Sequence, residues 1–177
     1  MSQRISGYPR QPDETYETPR WVSQTVANYL HGRCARLWDP ANGPTSKLAQ
    51  ALRDEGFQVI STNHDFLKAT LPDPQVKAIV TNPPYGSGGR LACAFITHAL
   101  ELVPVVAMLL RVDFDSGKTR TALFGGCPMF AGKIVLLDPI TWFERPVCAG
   151  PSDNHAWFLW NSGHSGPPAI SYARRPC

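Results

Sequence analysis

The sequence predicts an α/β domain in which a mostly parallel sheet is covered by helices on both faces. Short apolar, β-branched runs alternate along the chain with segments of helical spacing, and most runs are apolar throughout. Strands of that kind are buried on both sides, as a parallel sheet between two helical layers requires. The last run, residues 156–161, follows a loop and not a helix, so we expect it to enter the sheet antiparallel.

The first half of the chain contains two helices and three strands. Thr18 followed by Pro19 is typical of a helix N-terminus, and Thr45 is a candidate cap for the second helix. Runs rich in β-branched residues and bounded by Pro, Gly, Asp or Asn predict the strands. In chain order we expect a helix over 18–31, a strand over 36–38, a helix over 45–55, and strands over 58–62 and 77–82.

The second half continues the same alternation. It predicts a helix over 91–102, a strand over 105–110, a short helix over 118–124, a strand over 133–138 and the final strand over 156–161. The polar residues 1–15 predict a flexible N-terminal arm, and residues 16–162 form the domain. The tail, 163–177, is rich in Gly and Pro, so we expect it to be irregular.

Composition limits the protein class. A chain of 177 residues with 43% hydrophobic residues suits one domain, and a net charge of +3 is compatible with a polyanionic partner without requiring one. The five cysteines are odd in number, widely spaced and without a C-x-x-C pair, so we expect reduced thiols and no metal site. No apolar run approaches the roughly 20 residues that span a bilayer. These features predict a cytoplasmic protein without membrane contact.

Candidate ligand contacts follow the first two strands, because open α/β sheets bind ligands beyond the carboxyl ends of their strands. Gly43 would let the backbone approach a ligand and Asp39 could accept from an amine or hydroxyl, although an ordinary strand-to-helix turn also explains both. Asp65 and Phe66 could offer a carboxylate and a ring to a purine. The alternative is a helix cap followed by a core phenylalanine.

The third strand ends in Asn82-Pro83-Pro84-Tyr85, followed by a glycine-rich stretch. Two prolines hold the backbone rigid, so the carbonyls of Asn82 and Pro83 and the side-chain oxygen of Asn82 become fixed acceptors beside the flat ring of Tyr85. Such a group of atoms would bind a planar substrate that carries an NH2 group. A proline-capped strand in a surface loop is the other interpretation.

The segment TNPPYG resembles motif IV, the catalytic loop of the S-adenosylmethionine-dependent amino-methyltransferases. The N-P-P-Y members of that family include N6-adenine methyltransferases and protein-glutamine methyltransferases. The order of other segments agrees, since ETP at 17–19 looks like motif X, LWDPANGP at 37–44 like motif I and HDFL at 64–67 like motif III. The resemblance covers residues 18–161 and implies a Rossmann-like class I methyltransferase fold with S-adenosylmethionine as the cofactor.

The resemblance also implies residue roles. Pro44 stands where the family carries a further glycine, and Asn63 stands where it carries an acidic residue for the ribose hydroxyls. Catalysis is assigned to Asn82, Pro83, Pro84 and Tyr85. The implied cofactor-binding residues are Thr18, Pro19, Asp39, Pro40, Ala41, Gly43, Asn63, Asp65, Phe66 and Asn82.

The implied activity is methyl transfer to the N6 amine of an adenine flipped out of nucleic acid, with DNA expected before RNA. Arg90, Arg111, Lys118 and Arg120 are predicted to contact the nucleic acid, and solvated surface charge is the alternative. We expect no separate target-recognition domain, which leaves a homodimer or a specificity partner open. RNA adenine, a protein glutamine amide, or a degenerate cofactor-binding or interaction module without turnover are the alternative functions.

Overall fold

The computed structural model describes residues 16–43, 45–142 and 154–176. The predicted N-terminal arm lies outside the described residues. Three α-helices are present in this part of the chain, namely α1 (Arg20–Leu30), α2 (Lys47–Asp54) and α3 (Arg90–Leu102). Its strands are β1 (Arg36–Asp39), β2 (Gln58–Ser61), β3 (Ala78–Thr81), β4 (Val105–Arg111), β5 (Phe130–Leu136), β6 (His155–Asn161) and β7 (Ala169–Ala173). Short 3-10 turns connect them at Phe66–Lys68, Ser87–Gly89, Phe114–Ser116 and Lys118–Leu123.

The strands form one seven-stranded sheet in the order β2-β1-β3-β4-β6-β5-β7. β1 pairs with β2 and β3 in parallel, and β3 pairs with β4 in parallel. β6 is antiparallel to both β4 and β5, whereas β7 is parallel to β5. Among the described strands, only β6 therefore runs against the others, which confirms the antiparallel entry predicted for residues 156–161.

The sheet is covered on both faces, as predicted. Successive residues of a strand point to opposite faces, so neighbouring side chains enter different cores. Leu37 and Val80 pack with α1 and α2 on one face, while Trp38 and Ile79 pack with α3 on the other. The apolar runs of β3, β4 and β6 are buried almost throughout because helices or turns cover both sides.

The capping residues differ from two predictions. Pro19 and not Thr18 precedes α1, and this N-cap makes no side-chain hydrogen bond. Ser46 and not Thr45 caps α2, since its Oγ accepts from the backbone N–H of Ala49 over 3.1 Å. Proline cannot donate and fixes its own φ, so it can stand at a helix start without a capping side chain. Thr18 is therefore not the N-cap of α1 that the sequence suggested.

The tail differs from the prediction of irregular structure. Residues Ala169–Ala173 form β7, which pairs in parallel with β5 at the edge of the sheet. Pro167 and Pro168 come before this strand and do not interrupt it. The segment AISYA alternates small and β-forming residues, and Ile170 and Tyr172 are 58% and 66% exposed. A short strand with little burial is typical of a sheet edge.

A long-range hydrogen bond connects the first helix to the penultimate strand. The indole N–H of Trp157 in β6 donates to the carbonyl of Val22 in α1 over 2.9 Å, and both residues are fully buried. The cysteines Cys34, Cys93 and Cys127 are free thiols. No helix in the described ranges is both long enough and apolar enough to cross a bilayer.

Candidate active site

The carboxyl ends of the parallel strands β1, β2, β3 and β4 lie at one edge of the sheet. The residues that follow them are Pro40–Gly43 after β1, Thr62 and Asn63 after β2, and Asn82 after β3. The sequence predicted ligand contacts in each of these segments. The contacts between the segments show which of the predicted residues lie close together and which bond to other residues of the protein.

The buried carboxylate of Asp39 connects these segments through hydrogen bonds. Its side chain is 0% exposed; Oδ1 accepts from the hydroxyl of Thr81 over 2.7 Å and Oδ2 from the hydroxyl of Ser46 over 2.7 Å. The amide of Asn42 donates to the same carboxylate over 2.9 Å. Burial raises the pKa of Asp39, and the hydrogen bonds from Ser46, Thr81 and Asn42 oppose part of that rise. Its oxygens hold the β1 turn to the end of β3 and the start of α2, and a contact of Asp39 with the cofactor stays a prediction.

The turn after β1 lies against Asn63. Gly43 has a φ of 75°, and its N–H donates to the carbonyl of Thr62 over 3.1 Å. A Cβ atom built at Gly43 would lie 3.6 Å from Cβ and Nδ2 of Asn63. Asn63 itself is exposed, whereas Pro40 and Gly43 are buried and Ala41 is half-buried. Two segments predicted to bind the cofactor therefore meet at this point, and Pro44 lies outside the described residues.

The ring of Phe66 packs in the core, and its contact with a purine stays a prediction. Its side chain is 1% exposed, and its ring centroid lies 5.2 Å from that of Trp38 and 4.8 Å from that of Phe95. Asp65 is exposed and pairs with Lys68 over 2.8 Å, and the hydrogen bond from Lys68 lowers the pKa of Asp65. A phenylalanine next to a turn with apolar neighbours on α3 and β1 is drawn into the core because burial of its ring is favourable.

The segment before α1 lies between α2 and the N-P-P-Y loop. The side-chain amide of Asn82 donates from Nδ2 to the carbonyl of Tyr16 over 3.2 Å. Glu17 accepts through Oε2 from the backbone N–H of Lys47 at the start of α2, over 3.0 Å. Thr18, the next residue, is 2% exposed, and its hydroxyl has no hydrogen-bond partner among the residues that the structure describes.

The N-P-P-Y loop leads directly into α3. Pro83 is buried, and the carbonyl of Tyr85 accepts from the backbone N–H groups of Leu91 and Ala92 over 3.2 and 3.4 Å. The ring of Tyr85 is half-buried and meets the ring of Phe114 edge to face, with centroids 6.0 Å apart and an interplanar angle of 78°. The loop is thus held at its end by the helix and at its ring by a neighbouring aromatic side chain.

The four predicted nucleic-acid contacts fall into two groups. Arg90 and Lys118 are exposed. Arg111 pairs with Asp113 over 3.2 Å, whereas Arg120 donates to the carbonyls of Phe114 and Gly88. Arg120 therefore contacts groups of the protein itself, because a planar guanidinium can satisfy several carbonyls and a ring at once, and its contact with nucleic acid stays a prediction.

The structure also brings residues to the site that the sequence analysis did not select. Thr81 and Ser46 donate to Asp39, Tyr16 accepts from Asn82, and Phe114 contacts Tyr85. Thr81 and Ser46 could have been noticed as polar residues bordering a buried strand end and a helix start. No sequence signal pairs Phe114 with Tyr85. Within the described residues, no group of three or more His, Cys, Asp or Glu side chains is arranged to hold a metal ion.

Solved structures share this fold at low sequence identity. A protein from Listeria monocytogenes, assigned to the class I S-adenosylmethionine-dependent methyltransferases, aligns with a TM-score of 0.59 and 14% identity over 93% of this chain and 67% of that chain. A protein from Pyrococcus horikoshii, assigned as an RNA methyltransferase, aligns with a TM-score of 0.63 and 13% identity over 88% of this chain and 90% of that chain. No protein-family model and no curated protein matches the sequence. The chain has the Rossmann-like fold of class I methyltransferases, which confirms the predicted fold class.

Proposed function

We propose that this protein transfers a methyl group from S-adenosylmethionine to the exocyclic N6 amine of adenine in nucleic acid, with DNA preferred over RNA. The target base would leave its stack to reach the N-P-P-Y loop, at a cost of a few kcal/mol. The observation that carries the proposal is the side-chain amide of Asn82, which a hydrogen bond to the carbonyl of Tyr16 holds in the N-P-P-Y loop.

The hydrogen bond to Tyr16 gives the Asn82 amide a direction. Because Nδ2 donates to the Tyr16 carbonyl, Oδ1 is the end of the amide left to accept from a substrate. The rigid carbonyl of Pro83 is a second acceptor in the same loop. Two acceptors suit the two hydrogens of an exocyclic amine, and they draw the nitrogen lone pair away from the base plane toward an incoming methyl group.

The half-buried ring of Tyr85 supplies a surface for the target base. Stacking of a base on an aromatic side chain is worth about 1–3 kcal/mol, which offsets much of the cost of taking the base out of a stack. Phe114 contacts the Tyr85 ring from one side, so the ring has a fixed plane. Catalysis by these residues consists mainly of holding the amine in place.

The orphan hydroxyl of Thr18 supports a cofactor at this edge of the sheet. A buried polar atom without a partner is costly, and a bound ligand would satisfy it. The meeting of the Gly43 turn with the exposed Asn63 supplies polar atoms for the ribose hydroxyls nearby. When bound, S-adenosylmethionine supplies an electrophilic methyl group, which the N6 lone pair takes as the carbon–sulfur bond breaks and sulfur keeps the electron pair. The extra N6 proton then leaves to water, so no side chain has to act as a base beforehand.

The substrate class is the finer part of the proposal. Exposed Arg90 and Lys118 border the catalytic loop and the turn that contacts it, where they can neutralise phosphates. The Pyrococcus horikoshii neighbour is assigned to RNA, which makes RNA an arm of the test. A protein glutamine amide has the same planar NH2 group and forms a third arm. Cofactor binding without transfer to any substrate would identify a degenerate binding module.

The proposal is tested with Asn82→Ala and a matched variant, Asn28→Ala, which removes an exposed amide from α1. Tritiated methyl transfer is measured to DNA, RNA and protein in parallel, and cofactor affinity is measured by calorimetry. We expect wild type and Asn28→Ala to methylate DNA, and Asn82→Ala to lose at least about a hundredfold in kcat while still binding the cofactor. A fully active Asn82→Ala protein would refute the assignment, and transfer to RNA or protein alone would replace the substrate.

A further inference from the structure

Arg120 makes three contacts with the segments around the catalytic loop. Its guanidinium carbon lies 3.8 Å from the centroid of the Phe114 ring. Nη1 donates to the carbonyl of Phe114 over 2.8 Å, and Nη2 donates to the carbonyl of Gly88 over 3.0 Å. The side chain therefore joins the turn after β4 to the glycine-rich turn that follows Tyr85.

The glycine-rich turn has no room for a side chain at its point of contact. A Cβ atom at Gly89 would lie 2.9 Å from Nη2 of Arg120 and 2.9 Å from Cε2 of Phe114. Gly89 also has a φ of 78°, a backbone conformation that L side chains rarely adopt. The close approach of this turn to Arg120 and Phe114 therefore depends on glycine, which indicates a built contact between the two turns.

The same ring connects Arg120 to the catalytic loop. Phe114 is 3% exposed and meets Tyr85 edge to face, while Arg120 lies over its ring. A ring held by stacking and fixed through the carbonyl of its own residue has little freedom to rotate. Tyr85 thus lies against a neighbour whose plane is set by Arg120.

We propose that Arg120 is a positioning residue that fixes the ring of Tyr85 through Phe114 and the carbonyl of Gly88. These contacts are called the Arg120 clamp below. This inference rests on the proposed function in one respect, namely that Tyr85 receives the target base. Lysine would replace arginine only in part, because its ammonium lacks the planar fork that stacks on a ring and reaches two carbonyls at once.

A spectroscopic measurement tests the clamp without any substrate. The chain has five tyrosines, so 3-fluorotyrosine gives a small set of fluorine signals, and Tyr85→Phe identifies the signal of Tyr85. Arg120→Met should shift or broaden that signal, and Arg120→Lys should do so to a smaller degree. Gly89→Ala should perturb the same signal, because its Cβ would push Arg120 and Phe114 apart.

Arg33 supplies a matched control away from the site. Its guanidinium carbon lies 4.4 Å from the centroid of the Tyr29 ring, and its Nη1 donates to the carbonyl of Tyr29. Arg33→Met removes the same kind of arginine–aromatic contact, so it should move the signal of Tyr29 and leave that of Tyr85 in place. Circular dichroism checks that each variant is folded, and if Arg120→Met does not fold, the Arg120→Lys spectrum decides.

Transfer kinetics then separate positioning from nucleic-acid contact. A looser Tyr85 ring should lower kcat by roughly tenfold to a hundredfold, with the KM for S-adenosylmethionine unchanged and the loss independent of salt. A phosphate contact would instead give a salt-dependent KM for nucleic acid that Arg120→Lys largely restores. That result, or an unmoved Tyr85 signal in Arg120→Met, would overturn the clamp. If wild type methylates nothing, the proposed function fails, and the fluorine spectra still decide the clamp.

Discussion

The hydroxyl of Thr81 joins the end of β3 to the buried carboxylate of Asp39, and Thr81→Val removes it while keeping a branched side chain. Oγ1 donates to Oδ1 over 2.7 Å, and both residues are fully buried. Valine cannot donate, so Asp39 keeps the donors from Ser46 and Asn42 and loses one. Because Thr81 directly precedes Asn82, the change acts at the base of the N-P-P-Y loop.

The size of the effect follows from two opposing contributions to the free energy of unfolding. A hydrogen bond to a charged group contributes about 1.5–3 kcal/mol, and the buried methyl group that replaces the hydroxyl returns about 0.8 kcal/mol. The net loss is about 1–2 kcal/mol. For a chain of 177 residues, this lowers the thermal midpoint by roughly 2–8 °C.

The loss should also depend on pH. Burial raises the pKa of Asp39 above the ordinary 3.8, so the folded protein holds this proton more tightly than the unfolded chain. Ionisation of Asp39 therefore lowers stability as the pH rises from the unfolded-state pKa through the folded-state pKa. The Thr81 hydrogen bond favours the ionised form, so its removal raises the folded-state pKa further. The deficit of Thr81→Val should grow as the pH rises past the folded-state pKa of the wild type.

Thermal unfolding followed by circular dichroism, at acidic and at neutral pH, measures both features. Thr25→Val is the matched control, because its hydroxyl donates to an uncharged acceptor, the carbonyl of Val22 within the same helix. We expect a smaller and pH-independent change for that variant. A Thr81→Val deficit equal to that of Thr25→Val at neutral pH, or one that stays constant with pH, contradicts this account of Asp39.

Two further predictions concern Thr18, near the proposed cofactor site, and the strand β7 in the tail. Thr18→Val removes the hydroxyl that has no partner, so we expect the unfolding midpoint to be at or above that of wild type. We also expect an approximately fivefold weaker affinity for S-adenosylmethionine by calorimetry, equivalent to about 1 kcal/mol. Unchanged affinity would show that the hydroxyl does not contact the cofactor. Gly132→Ala places a Cβ atom 1.8 Å from the carbonyl oxygen of Ala169, so β7 should separate from β5 and exchange its amide hydrogens faster than it does in wild type. Gly163→Ala, whose Cβ would meet only Asn161 Oδ1 at 3.5 Å, is the control, and equal protection of β7 in both variants would count against the role of Gly132.

The strands of the central sheet were predictable because a strand that is buried on both faces appears in the sequence as a run of apolar residues. The observed strands β3 and β4 begin and end within one residue of their predicted limits. β7 was missed because edge strands need little hydrophobicity, and the Gly and Pro residues beside it masked a five-residue strand. The predicted helix over 118–124 is a 3-10 turn, Lys118–Leu123, since two threonines and flanking glycines do not favour a longer helix.

The candidate site was predictable where local backbone chemistry carries the information. The N-P-P-Y loop follows a strand as expected, and the Gly43 turn has the positive φ that its glycine suggested. The contacts that Asp39, Phe66 and Arg120 make within the protein were not predicted, because each depends on partners distant in sequence. Asp39 and Thr81 are separated by 42 positions, and Arg120 and Gly88 by 32. A single sequence does not show whether a polar side chain faces a ligand or another part of its own chain.

The hydrogen bond from Trp157 to Val22 has a consequence for the order in which the chain folds. Its two partners are 135 positions apart, so this hydrogen bond forms only after β6 has joined the sheet. Loop closure over that distance makes the contact a late event. A chain cut before residue 155 would keep the hydrogen bond from Gln24 in α1 to Glu55 at the end of α2, and it would lose the attachment of α1 to β6.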